Sequence, residues 1–282
     1  MNITFKELIN PLTNDLTAMD EQVKMSEDPI PTSGNHSWLI CGSKGKGKSS
    51  LLLRSILSKK SPYCCNKAFD MVFLCSQSAR KDDKFNDLIE GLEEEGHFYD
   101  TFNEGILEEI LEEITDFNNQ YKRDVEEFKM NQSNGKKGYY SRIVGKTKEG
   151  KDIIQKIYKE RLLPRHLLNL DDCINLLPRS TQNSKISDLY TNHRHYKLSI
   201  ITTTQVYKKL NTTIRRNSDL LSLFRTENFS EYESIRDDWS FDKKRFDSIW
   251  DFATDKPNSF LHIVVTGVRP VFFKKFNKII EE

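Results

Sequence analysis

Trp38-Leu39-Ile40-Cys41-Gly42-Ser43-Lys44-Gly45-Lys46-Gly47-Lys48-Ser49 is an apolar run that opens into G-x-x-x-x-G-K-S. That pattern is the phosphate-binding loop of nucleoside triphosphatases. Backbone N–H groups from Gly42 through Ser43, Lys44, Gly45, Lys46 and Gly47 to Ser50 are expected to wrap the phosphates, with Gly42, Gly45 and Gly47 permitting the tight turn. Lys48 would reach the β- and γ-phosphates of ATP, and Ser49 would ligate Mg²⁺. The setting agrees with the motif: a strand precedes it, and the helical run Ser50-Leu51-Leu52-Leu53-Arg54-Ser55-Ile56-Leu57 follows, aiming the positive end of its dipole at the loop.

The 282 residues carry 43 Lys and Arg against 42 Asp and Glu, so no global field draws the chain to nucleic acid, and any DNA contact has to be local. Its length fits one large α/β domain with appendages. The cysteines Cys41, Cys64, Cys65, Cys75 and Cys173 lack metal-ligand spacing and read as a reducing, intracellular set. Cys64 and Cys65 read as linker residues rather than a redox pair. No secretory pattern opens the chain, and no apolar run approaches the roughly 18 residues of a membrane span.

Outward from the loop, residues 1–33 end in Pro29-Ile30-Pro31-Thr32-Ser33 and read as an arm leading into a nucleotide-binding domain over 34–282. Such an arm often packs on a neighbour. The loop strand, the helix from Lys48 and the run Phe69 to Cys75 follow βαβ order, which implies a parallel sheet. Gly105 to Ile114 places apolar residues three and four apart with Glu between them, an amphipathic helix whose acidic side is a solvated face. A flexible basic loop is expected over about 131–151, with Tyr139 and Tyr140 among Lys136, Lys137, Arg142, Lys146, Lys148 and Lys151. It suits contact with phosphates and bases, and equally a soluble insertion without a partner. A strand pair closes the chain at about 259–276.

A second constellation completes the chemistry. Leu167 to Leu170 is an apolar strand ending in Asp171 and Asp172. Asp171 would hold the Mg²⁺ shell, and Asp172 would orient or deprotonate the attacking water. A further strand, Lys197 to Thr204, ends in Gln205, which either bonds the γ-phosphate or lytic water or simply starts a loop. Phosphate loop, acid pair and polar strand tip, in that order, are the layout of P-loop NTPases of the ASCE, RecA-like kind: an α/β three-layer sandwich with a mainly parallel central sheet and a strand added between the loop strand and the acid strand.

These residues, with Asn192-His193-Arg194-His195, Ile214-Arg215-Arg216-Asn217-Ser218-Asp219 and the closing Phe260-Leu261-His262-Ile263, give the chain a resemblance. It resembles the viral genome-packaging ATPases of the FtsK-HerA superfamily, in the poxvirus, giant-virus, virophage and Polinton-like branch, over residues 35 to 280. The resemblance implies a homo-oligomeric ring, a pentamer or hexamer, that hydrolyses ATP and threads double-stranded DNA into a preformed capsid at its vertex. It also implies a location inside the host cell, at the viral assembly site in cytoplasm or nucleus, and in the virion. Many relatives have Glu where this chain has Asp172, and Gly where it has His193. Arg194, between the acid pair and Gln205, is the first candidate for a guanidinium delivered in trans to a neighbour's γ-phosphate, with Arg215 and Arg216 in reserve; a surface Arg at a helix C-terminus is the bland alternative.

Two other readings fit the same motifs, a nucleoside-phosphate kinase and an NTP-binding switch without a motor. No Arg-rich lid is evident, and the strand-end acid pair with its downstream Gln argues for hydrolysis over phosphoryl transfer to an acceptor.

Overall fold

β2 (Ser37–Cys41) is buried at all five positions, as an unbroken apolar run requires of a strand covered on both faces. A computed structural model describes residues 3–5, 34–58, 68–133, 137–146, 151–174, 177, 185–239, 242–265 and 270–281. Around β2 stand β1 (Ile3–Phe5), β3 (Met71–Ser76), β4 (Phe98–Tyr99), β7 (His166–Asp171), β8 (Leu198–Thr204), β9 (Leu220–Phe224), β10 (Phe260–Val264), β11 (Val271–Lys274) and β12 (Asn277–Glu281). Their order across one ten-stranded sheet is β1-β12-β11-β10-β9-β2-β8-β7-β3-β4. From β9 to β4 all pairings are parallel, and from β9 to β1 they are antiparallel. The mainly parallel sheet expected from βαβ order is present. β8 lies between the loop strand β2 and the acid strand β7, in the place anticipated for an added strand.

Strand alternation divides the core. On one face Trp38 and Ile40 pack with Leu51, Leu52 and Ile56 of α1 (Lys48–Leu57) and with Leu88, Ile89 and Leu92 of α2 (Asn86–Glu94). After the short α4 (Ser187–Asn192) and α5 (Thr212–Arg216), α6 (Phe229–Trp239) and α7 (Lys243–Ala253) stand on the other face. Trp239 Nε1 donates to the buried Tyr207 hydroxyl at 2.7 Å, and Arg245 of α7 lies over Phe272, the neighbour of the Phe273 that joins the first face. Helices on both faces make the three-layer sandwich. α7 begins where Asp242 accepts a hydrogen bond from Lys244 N–H, satisfying one of the helix's free donors. β10 and β11 form the closing strand pair.

The chain divides into two compact units, Met1–Ile106 with Arg165–Glu282, and Leu107–Pro164. The second contains most of α3 (Glu104–Ser133), whose 30 residues extend well beyond the acidic helix read from Gly105 to Ile114. Here the expected flexible basic loop is corrected. β5 (Tyr140–Lys146) and β6 (Asp152–Ile157) pair antiparallel as a separate two-stranded sheet. The β-branched Ile143, Val144, Ile153 and Ile154 favour strand, and a register shift between Ile143 and Gly145 interrupts the alternation by which a strand is recognised. Buried Asp124 of α3 accepts from Arg161 Nη1 at 2.5 Å, and Glu127 takes both Ser141 N–H and Ser141 Oγ, which ties β5 to the helix. Ile143, Val144, Ile153 and Ile154 are exposed, with Arg142 and Lys146 beside them. Lys136, Lys148, Cys64 and Cys65 lie outside the described residues, as do residues 6–33 of the arm. The described part of the arm, β1, pairs with β12 of its own chain. No helix among the described residues is long and apolar enough to cross a membrane.

Candidate nucleotide-binding site

The loop leaves β2 at Gly42, whose N–H donates to Thr204 O at 3.1 Å and whose missing side chain matters: a Cβ there would come 2.7 Å from Phe224 Cβ at the tip of β9. Gly45 and Gly47 adopt φ 79° and 103°, conformations that side chains resist. α1 starts at Gly47 without a side-chain cap, so the free N–H groups of its first turn remain open to an anion. Lys48 is buried and folds back so that its Nζ donates to Ser43 O at 3.4 Å. Ser43, Lys44 and Gly45 are exposed, while Lys46, Ser49 and Ser50 are half-buried.

Register places the acids beside this loop. Buried Asp171, opposite Ser76 of β3 and Thr203 of β8, accepts from Thr203 Oγ1 at 2.6 Å and Ser76 Oγ at 2.8 Å. Burial raises its pKa, opposed by these two hydroxyls and by Lys48, whose charge acts on it from across the loop. Asp172 turns out of the strand at φ 53°, a strained value for a residue with a side chain. Its N–H donates to Thr203 Oγ1 at 3.0 Å, and its Oδ2 accepts from Gln205 Nε2 at 2.8 Å. Its Oδ1 is buried with no hydrogen-bond partner among the described residues. An orphaned carboxylate oxygen is costly, and it fits a site that takes a water or a cation-bound water. The structure therefore brings Lys48, Asp171, Asp172 and Gln205 together with the loop.

Arg194 stands elsewhere. Its Nη2 donates to Asp219 Oδ1 at 2.5 Å, while Asp219 Oδ2 accepts from Ser37 N–H at 2.9 Å and Ser37 Oγ at 3.1 Å. These residues mark the N-terminal ends of β2, β8 and β9, a strand's length from the loop, or roughly 13 Å at about 3.3 Å per residue. Within one chain Arg194 does not face the phosphates. Arg194 and Arg216 line one cleft of about 210 Å³ with Tyr190, His193 and Asp219, so two of the three candidate arginines share a surface. Arg215 is separate, largely buried against Asp238 at 2.5 Å and over the Tyr207 ring. His193 is buried, with Nδ1 2.7 Å from Leu198 O, and burial lowers its pKa.

Ser76 and Thr203, which hold Asp171, and the bonding of Asp219 to Ser37 were not singled out from sequence. Ser76 ends its strand as Asp171 ends β7, and that shared position is the signal that points to it. Cys41, Cys75 and Cys173 are buried free thiols, and burial with the nearby Glu231 pushes Cys41 up to about 12.

No protein-family model and no curated protein matches the chain. Among solved structures, the genome-packaging NTPase B204 from Sulfolobus turreted icosahedral virus 2, in complex with AMPPCP, aligns at 14% identity and TM-score 0.45 over 88% of this chain and 97% of that one. EssC (ATPases 2 and 3) from Geobacillus thermodenitrificans aligns at 14% identity and TM-score 0.46, over 86% of this chain and 38% of that one. The cytoplasmic domain of the type VII secretion ATPase EccC from Thermomonospora curvata aligns at 14% and 0.45, over 86% and 25%.

Proposed function

We propose that the chain is a Mg²⁺-dependent ATPase that acts as an oligomeric ring and packages double-stranded DNA into a capsid. The Oδ1 of Asp172, without a hydrogen-bond partner among the described residues, carries the hydrolytic part of this reading. With Oδ2 held by Gln205, the carboxylate has one oxygen directed by its neighbours and one left to accept a proton from water, as a general base requires. A kinase would exclude that water; here the polar strand tip supports it.

Lys48 would leave Ser43 O for the β- and γ-phosphates, and the loop's N–H groups would take the remaining phosphate oxygens. Ser49 and Asp171 would hold Mg²⁺, which supplies charge neutralisation to the phosphates when bound. Ser76 and Thr203 keep Asp171 aimed from its strand end. A guanidinium from the adjoining subunit would complete the site. Arg194 and Arg216 are the candidates, with side chains 41% and 66% exposed. Arg142, Lys146, Lys151 and Lys156 on and beside the β5–β6 hairpin are suited to DNA phosphates, and a two-stranded ribbon has the width of a DNA groove.

The experiment is the ATPase rate with and without double-stranded DNA. Stimulation by DNA is expected of the motor; tight nucleotide binding with negligible turnover under both conditions would make it a switch. Mixing inactive Arg194→Ala and Lys48→Ala proteins restores some turnover if Arg194 acts in trans; if Arg194→Ala alone is fully active, Arg216 becomes the residue to mix.

A further inference from the structure

The loop strand has two neighbours, and they make unlike flanks. On the β8 side stand Asp172 and Gln205, bonded at 2.8 Å. On the β9–β10 side stand Phe224, Arg225 and, in the turn before β10, Asn258. Phe224 closes against Gly42 and approaches Gly47, where a Cβ would lie 3.7 Å from its ring. The Asn258 carboxamide comes equally near: its Oδ1 would be 3.6 Å from that Cβ.

If the γ-phosphate faces Asp172 and Gln205, as the proposed hydrolysis requires, the nucleoside has to leave the loop by the other flank. There Asn258 is exposed, holds φ 58° and makes no side-chain hydrogen bond among the described residues. A carboxamide carries both donor and acceptor, the equipment for reading a base edge or a ribose hydroxyl. Arg225 is tethered through Nη1 to Asp251 at 3.2 Å and Thr254 at 3.4 Å, with 44% of its side chain exposed. Its planar guanidinium offers a surface on which a base can stack.

We propose that Asn258 and Arg225 form the nucleoside end of the site, Asn258 hydrogen-bonding the base or ribose and Arg225 stacking on the base. The inference rests on the ATPase reading. It makes Asn258 a specificity-determining residue, one that distinguishes a nucleoside triphosphate from a bare phosphate chain.

Asn258→Gly removes the carboxamide while keeping the positive φ, so the turn is preserved. Calorimetry on the full chain would compare Mg-ATP with inorganic tripolyphosphate. The expected result is a Kd for Mg-ATP raised about three- to tenfold, the worth of one neutral hydrogen bond, with tripolyphosphate binding unchanged. Arg225→Ala should move the two ligands apart in the same sense. Equal weakening of both, or an unchanged Mg-ATP Kd, would overturn the inference. A wild-type protein that binds tripolyphosphate but gains nothing from the nucleoside would overturn it too; a wild-type protein that binds neither would instead sink the ATPase reading.

Discussion

The two ends of the central strands treat a carboxylate in opposite ways. At the N-terminal end Asp219 is saturated: Arg194 takes one oxygen, and the Ser37 N–H gives to the other, with the Ser37 hydroxyl shared between that oxygen and Asn217 O. At the C-terminal end Asp172 sits in a strained backbone with one oxygen bonded to Gln205 and the other without a hydrogen-bond partner among the described residues. A carboxylate whose acceptors are filled fastens strands together. One with an open acceptor is able to take a donor from a ligand, and the surrounding sheet holds it in place.

The comparison breaks most visibly at the open end. Lys48→Ala should reduce hydrolysis to background and raise the Kd for Mg-ATP by about ten- to a hundredfold, the worth of charge-assisted bonds to phosphate. Wild-type turnover in this variant, followed by phosphate release, would remove the assignment. Asp172→Asn should separate chemistry from binding: turnover falls about 10²- to 10⁴-fold while Mg-ATP affinity stays near wild type, because the amide keeps the shape but cannot take the proton. Single-turnover rates beside equilibrium titration check both halves.

At the saturated end the signature is stability. Asp219→Ala leaves the buried Ser37 N–H without its acceptor, while the Ser37 hydroxyl keeps Asn217 O at 2.7 Å, and should cost about 1–3 kcal/mol in denaturant unfolding, with Mg-ATP affinity unchanged. A normal midpoint with altered nucleotide binding would reverse the roles assigned to the two ends.

The smallest effect is one of pH. Burial raises the Asp171 pKa above its unfolded value, so its proton favours the folded state, and this residue's contribution to metal-free stability is lost as pH rises through the raised folded value. Mg²⁺ needs the carboxylate, so its affinity runs the other way and weakens as pH falls through that same raised value. Mg²⁺ titrations across acidic pH test this; loss only at the ordinary aspartate pKa would show that Asp171 is not the ligand.

Much of the site was legible in the sequence because its parts are local. The loop from Gly42 to Ser49 is one turn between a strand and a helix, and backbone geometry dictates its glycines. Asp171, Asp172 and Gln205 each stand at the end of a strand recognisable by its apolar run, and parallel strands that share a sheet bring such ends to one edge. The hairpin was harder to see, since the bulge between Ile143 and Gly145 spoils the alternation and its apolar residues are exposed.

By itself the sequence determined the phosphate loop, the order of the chemical strands and the parallel sheet, all of them consequences of steric and hydrophobic patterns among near neighbours. Only the tertiary structure decided which carboxylate is saturated and which is open, that Ser76 reaches Asp171 across 95 residues, that Ser37 meets Asp219 across 182, and that Asn258 stands beside Gly47. Hydrogen bonds of that span depend on strand register and on the order of strands across the sheet. Those are properties of the packed core as a whole, and no local spacing in the chain encodes them.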